Sequence, residues 1–169
     1  IRLVHHHYNR GIAAARNTGV THAKGEFVSF HDADDIWQPT KLEKHIRHLE
    51  SNSSIGISFS SSELIDENGL STGVYQIPTR LTNIDAKYLL CRCPIGNGSA
   101  AVFRTDVLRQ IRFDEAMFAV EDVDCWVRIA METEWKFEGI AEPLTLYRVT
   151  TSGNSGNFKK QLAAVEYII

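Results

Sequence analysis

The stretch FVSFHDADDIW, residues 27–37, runs from apolar residues that read as a buried strand into three carboxylates, Asp32, Asp34 and Asp35, within four positions. Apolar groups on both faces are the pattern of a central parallel strand covered by helices on either side, with the aspartates at its C-terminal end. Open α/β sheets bind ligands beyond the carboxyl ends of their strands. In an extended segment Asp32 and Asp34 point to one side and Asp35 to the other, so the first two are placed to share one hard cation, Mg²⁺ or Mn²⁺, which offsets their repulsion. The plainer reading is one helix cap and two solvated acids.

On the N-terminal side, IRLVHHHY (1–8) suits a strand, and Asn9 suits the N-cap of a helix that runs to about residue 23 and stops at Gly25. His5, His6 and His7 would alternate across such a strand, which argues against one shared ion. On the C-terminal side, Pro39 opens a helix with Leu42, Ile46 and Leu49 facing inward and Lys41, Glu43, Lys44 and Arg47 facing outward. IGISFSSS (55–62) reads as a strand and DENG (66–69) as the turn before LSTGVYQI. A short helix is expected near 82–90, and CPIGNGSA (93–100) is a Gly-rich loop leading into a strand at 100–103. Val123, Trp126, Val127 and Ala130 make a helical stripe through EDVDCWVRIAMET (121–133), with Asp124 and Arg128 a ready ion pair. Strands follow near WKFEGI and LTLYRV, and the alternation of elements predicts one α/β domain over 1–169.

Composition excludes several classes. The 169 residues are 43% hydrophobic and 23% charged, as in an ordinary globular protein. A net charge of -3 and pI near 6.2 give no basic footprint for nucleic acid. Cys91, Cys93 and Cys125 read as reduced structural thiols, since no second pair completes a zinc set. No apolar run approaches the roughly 18 residues of a membrane span. A cytoplasmic location with at most peripheral membrane contact is expected. The first residue, Ile1, and the closing EYII give the chain the look of a piece of something longer.

The string YNRGIAAARNTGVTHAKGEFVSFHDADDIWQPTKLEKHIRHLE (8–50) resembles, nearly position for position, the central motif block of family 2 glycosyltransferases with the GT-A fold. GNGSAAVFRTDVLRQIRFDEAMFAVEDVDCWVRIAMETEWKFEGIAEPLTLYR (96–148) is similar to that family's acceptor-side segment, with its Glu-Asp pair, Trp-x-x-Arg helix and closing Tyr-Arg. The resemblance implies a GT-A-like (Rossmann-like), mixed, mostly parallel sheet flanked by helices, lacking the N-terminal strands that carry the family's Pro-x-Tyr/Phe-Asn and Asp-Asp-Gly-Ser motifs. It implies inverting transfer of a sugar from a nucleoside-diphosphate sugar to a carbohydrate or other hydroxyl acceptor. Asp32 and Asp34 match the Asp-x-Asp that holds Mn²⁺ or Mg²⁺ against the donor diphosphate, with Asp35 a nearby contributor. Arg16, with Asn9 and Gly11 of the Asn-x-Gly turn, would contact the donor, and Gly11 and Gly19 would also allow tight helix entry and packing. Glu121 and Asp122 match the position of the general base, Asp122 preferred.

Other residues have weaker readings: Trp37 as a stacking platform or as core, and RVTTSGNSGNF (148–158) as a lid or as a plain loop. Two other classes share some of these features. One is a transferase-like scaffold without catalysis, and the other is an Asp-x-Asp phosphoryl hydrolase, which would carry its motif on the first strand.

Overall fold

The structure is a computed structural model that describes residues 1–150. Its elements are α1 (Gly11–His22), β1 (Phe27–Ser29), β2 (Ile36–Trp37), α2 (Lys41–Ser51), β3 (Ile55–Ile65), β4 (Ser71–Gln76), α3 (Ala86–Arg92), β5 (Ala101–Arg104), α4 (Thr105–Gln110), α5 (Glu121–Glu132) and β6 (Lys136–Arg148). One mixed sheet runs in the order β1-β5-β3-β6-β2, with β4 paired to β3. The expected α/β architecture with flanking helices is present, and the end of the 148–158 segment lies outside the described residues.

The direction of the strands corrects the sequence reading. Only β3 and β6 pair in parallel, whereas β1–β5, β2–β6, β3–β4 and β3–β5 are antiparallel. The β3–β4 pair is antiparallel because a short turn at DENG, closed by the Gly69 N–H donating to the Asp66 carbonyl, can join strands only in that sense. β1 is a three-residue strand at the end of the sheet order. An apolar run reports that both faces are covered, which says nothing about the direction of its neighbour. Residues 1–8 form no strand, and His6 Nε2 instead meets Thr18 Oγ1 at 2.8 Å.

Alternation along the central strands separates the two faces. Ile57, Phe59, Ala101 and Phe103 face a core shared with Val20 of α1, Leu89 of α3, Val107 and Leu108 of α4, and Trp126 and Ile129 of α5. On the opposite face Val102 and Ile55 meet Leu49 of α2. Here the buried side of α2 is Lys41, His45 and Leu49, so Lys41 lies inside rather than outside as its charge suggested. The reason is a polar layer: Lys41 Nζ donates to Thr145 Oγ1 at 3.2 Å, and His45 and His48 both reach Ser58 Oγ, at 2.7 and 2.8 Å. Lys41 also lies 5.4 Å from the centre of the Trp37 ring. Leu42 is left on the surface, 44% exposed.

Burial pushes Lys41 down to about 7, with the Asp35 charge opposing the shift. A folded-state pKa below the unfolded one means that the unfolded chain binds more protons above pH 7, so stability rises with pH there, by up to about 1.4 kcal/mol per unit. His45, pushed down to about 3, acts only at lower pH, and the thiols of Cys93 and Cys125, pushed up to about 12, oppose the trend only as unfolded thiols ionise. Urea unfolding at pH 7 and 8.5 is therefore expected to show a stability gain at the higher pH that Lys41→Met abolishes. An unchanged gain in that variant would place the titration elsewhere.

Candidate active site

The acidic segment is held as a turn, not as an extended strand end. The Asp35 N–H donates to the Asp32 carbonyl at 3.1 Å, closing the turn. The Asp32 N–H donates to Ser99 Oγ at 3.0 Å, and Arg148 Nε donates to the Asp34 carbonyl at 2.7 Å. Asp32 and Asp34 both line a cleft of about 700 Å³, with Arg16, Glu121, Asp122 and Arg148 also on its walls. β1, α1, α5 and the end of β6 bring these groups together.

Arg16 is the junction of the site. It is 7% exposed, donates through Nη1 to Glu121 Oε1 at 2.6 Å and reaches Asp32 Oδ1 through Nη2 at 3.4 Å. Its guanidinium carbon lies 5.6 Å from the Phe30 ring centre and 5.5 Å from that of Phe113, which suits a weakly hydrated planar cation. Arg16 thus lines the cleft, as expected of a donor contact, yet its donors are already engaged by carboxylates from both halves of the chain.

Glu121 and Asp122 open α5. The residue before them, Val120, has φ 50°, a left-handed conformation that a β-branched side chain adopts only under constraint. Burial raises the pKa of Glu121, the Asp122 charge adds to this, and Arg16 opposes it; burial likewise raises Asp122, again opposed by Arg16. Contact with the guanidinium favours the charged form of Glu121 against that burial. Asp122 accepts the Val123 N–H through Oδ1 at 2.9 Å. Asp124 pairs with Arg128 Nη2 at 2.5 Å, as its spacing predicted.

Three expected donor residues lie elsewhere. Asp35 is buried with its Oδ1 accepting the Arg148 N–H at 3.0 Å, and burial above all raises its pKa, so it anchors the turn from inside rather than facing the cleft. Asn9 Oδ1 accepts the Gly11 N–H at 2.9 Å, and Gly11 has φ 83°. This pair shapes the entry to α1, whose next residue, Ile12, is the one on the cleft wall. Gly19 has open space where a Cβ would stand, so close packing is not its role. Arg148 was missed as a site residue, although the Tyr-Arg that closes the second motif block pointed to it. Asn97, also on the cleft wall, was missed as well; its Nδ2 donates to Ser62 Oγ and Gln76 Oε1, while its buried Oδ1 has no hydrogen-bond partner.

Among the described residues no group of three or more His, Cys, Asp or Glu is arranged to hold a metal ion. Asp32 and Asp34 offer the same cleft two carboxylates of hard oxygen donors, which suits Mg²⁺ or Mn²⁺ where substrate phosphates and water complete the shell. The residues present fit that partial role.

Gly98 permits this arrangement, since a Cβ there would stand 2.5 Å from Arg16 Nη2. Gly98→Ala is expected to destabilise the fold by about 1–3 kcal/mol, as overpacking does. In an Arg16→Met background the same alanine should cost less, because the longer side chain is no longer pinned by charge. Equal costs in urea unfolding of the two backgrounds would refute the contact.

Residues 1–112 match the family model described as Glycosyl transferase family 2. An uncharacterized glycosyltransferase of Methanocaldococcus jannaschii is 30% identical over 154 residues, covering 90% of this chain and 52% of that protein. The UDP-Glc:alpha-D-GlcNAc-diphosphoundecaprenol beta-1,3-glucosyltransferase WfgD of Escherichia coli is 31% identical, covering 96% of this chain and 61% of that protein. Among solved structures, the mannosyltransferase PcManGT from Pyrobaculum calidifontis, in complex with GDP-Man and Mn²⁺, superposes with a TM-score of 0.64 at 23% identity, covering 97% of this chain and 45% of that one. TarS 1-349 of S. aureus in complex with UDP-GlcNAc gives 0.63 at 15% identity, covering 87% and 41%. These likenesses establish the GT-A fold, and the chain spans about half to three fifths of the curated relatives named. With its family match running through the acidic turn and its fold shared with sugar-transfer enzymes, the chain belongs to glycosyl transferase family 2.

Proposed function

We propose that this chain carries the catalytic cleft of an inverting, metal-assisted glycosyltransferase that moves a sugar from a nucleoside-diphosphate donor to an acceptor hydroxyl. The observation that carries the reading is the convergence of Asp32 and Asp34 with Glu121 and Asp122 on one cleft, joined by Arg16. Support comes from a relative named as a UDP-Glc-dependent glucosyltransferase and from neighbours solved in complex with UDP-GlcNAc and with GDP-Man. Asp32 and Asp34 would hold Mn²⁺ or Mg²⁺ through carboxylate oxygens. Such an ion, when bound, supplies Lewis-acid stabilisation of the departing diphosphate.

The chain's own groups divide the remaining steps. Asp122 takes the proton of the acceptor hydroxyl as its oxygen bonds to the anomeric carbon, and the bond from that carbon to the donor phosphate breaks on the opposite face, with inversion. A carboxylate with a raised pKa suits this task, because base strength grows with pKa as long as the group is ionised at working pH. Glu121 keeps Arg16 in place, Arg16 keeps Asp32 beside the base, and Arg148 fixes the turn that presents Asp34. No helix of the described residues is long and apolar enough to cross a membrane; contact with a lipid-linked acceptor would be peripheral, and the WfgD relative takes its acceptor on a diphosphoundecaprenol.

Titration with UDP and GDP, with and without Mn²⁺, is expected to show metal-dependent binding that Asp34→Ala removes. Absence of such binding would favour a non-catalytic scaffold. Asp122→Asn should lower kcat by about 10²–10⁴-fold, the usual contribution of a general base, while leaving donor binding intact. In the active protein kcat should fall as acid protonates Asp122, with the limb above the ordinary carboxylate value of 3.8 because burial raises this group. Normal turnover in Asp122→Asn would transfer the base role to another residue.

A further inference from the structure

A second cleft, of about 520 Å³, lies between the segment around Arg80 and helix α3, and three cations, Arg80, Lys87 and Arg92, line it. Elsewhere six cations, Arg10, Lys44, Arg47, Arg104, Arg109 and Arg128, each pair with a carboxylate, while exposed Arg2, Lys24 and Lys136 make no ion pair among the described residues but line neither cleft. No acidic partner for Arg80, Lys87 or Arg92 is present among the described residues. The one acid on the wall, Asp85, is turned to the backbone: its Oδ1 accepts the Tyr88 N–H at 2.7 Å and caps α3. Arg80 is already oriented, with its guanidinium carbon 4.2 Å from the Tyr88 ring centre and Nη1 donating to the Asn83 carbonyl at 3.3 Å. A concave surface whose three cations outnumber its one carboxylate, the cap Asp85, carries a net positive charge that fits a phosphate-bearing ligand.

Its position says which ligand. Gln76 and Cys93 line the acidic cleft, and Thr79 and Cys91 line the cationic one. Along either segment the two sets are at most three residues apart, so the clefts adjoin within roughly 11 Å of chain. The two differ in sign: in the acidic cleft four carboxylates outnumber Arg16 and Arg148, so a metal would favour an anion there, whereas in the cationic cleft the protein's own cations are in excess. We infer that the cleft at Arg80, Lys87 and Arg92 binds the phosphate or diphosphate of the acceptor, holding its terminal sugar toward Asp122. This rests on the transferase reading and adds the chemical class of the acceptor to it. Two sources share that chemistry, a lipid-linked diphosphate and a soluble sugar phosphate; Leu90, 43% exposed, and Ile77, 68% exposed, border the cationic residues in sequence and offer apolar surface for a lipid tail.

The test uses EDTA to silence the metal-dependent cleft. The chain and an Arg80→Gln/Lys87→Gln/Arg92→Gln variant are titrated with farnesyl diphosphate and with inorganic pyrophosphate. The wild type is expected to bind, and the variant at least about a hundredfold more weakly, since charge-assisted hydrogen bonds to phosphate are lost. Equal affinity for both probes supports head-group recognition of a soluble phosphate, and tighter farnesyl diphosphate binding supports the lipid-linked source. Absence of binding in EDTA, or equal affinity in wild type and variant, overturns the assignment. All three residues are exposed, so the variant should keep its thermal midpoint. UDP titration with Mn²⁺ on the same samples reads the donor reading separately: its failure leaves the cationic cleft standing, and its success in the variant shows that only the acceptor subsite was removed.

Discussion

The buried Arg16 guanidinium is the constraint on which the rest of the site depends. It joins Asp32, on the turn after β1, to Glu121, which lies 105 residues beyond Arg16 itself. A cation taken out of water is tolerated only when its donors are answered, and breaking such a pair typically costs about 3–5 kcal/mol. The aromatic walls of Phe30 and Phe113, the absence of a side chain at Gly98 and the left-handed cap at Val120 all serve this one contact. Because Arg16 holds one carboxylate of each pair, the Asp32–Asp34 side and the Glu121–Asp122 side of the cleft keep a fixed relation before any ligand arrives. Preorganisation of that kind is where much of an enzyme's electrostatic advantage originates.

The acidic turn is supported from behind as well as from within the cleft. Asp35 accepts the Arg148 N–H, Arg148 reaches back to the Asp34 carbonyl and to the carbonyls of Asp66 and Glu67, and Lys41 lies close enough for its charge to act on Asp35. The polar layer of Lys41, His45, Ser58 and Thr145 under α2 extends that support across the sheet. One face of the sheet is an apolar core and the other is a hydrogen-bonded floor. The two faces explain why a chain of modest net charge buries a lysine, an arginine and the two acids Asp35 and Glu121.

The two clefts differ in charge, and on the proposed reading that difference would divide the labour of a transfer reaction. The acidic one would take a donor whose diphosphate arrives with a divalent cation; the Pyrobaculum mannosyltransferase was solved with GDP-Man and Mn²⁺. The cationic one lies beside it along two short stretches of chain, on α3, which itself packs against the helix that carries Glu121 and Asp122. Donor and acceptor phosphates would then be held by opposite means, which keeps each out of the other's site.

Local spacing determined the helices at α1, α2 and α5 and the hairpin at DENG, while the resemblance of two longer motif blocks supplied the family and singled out the four carboxylates that line the cleft. The helices and the hairpin are properties of short segments, where periodicity and turn chemistry act within a few residues. Strand direction, the inward turn of Lys41 and Asp35, and the engagement of Arg16 by Glu121 were decided only by the tertiary structure. Each depends on what a distant segment presents: β5 and β6 on either side of β3, Thr145 and Ser58 beneath α2, Arg148 behind the turn. A charged residue reads as exposed until its partners are known, and partners 100 residues away leave no mark on the local pattern of about three or four residues that a helix face repeats.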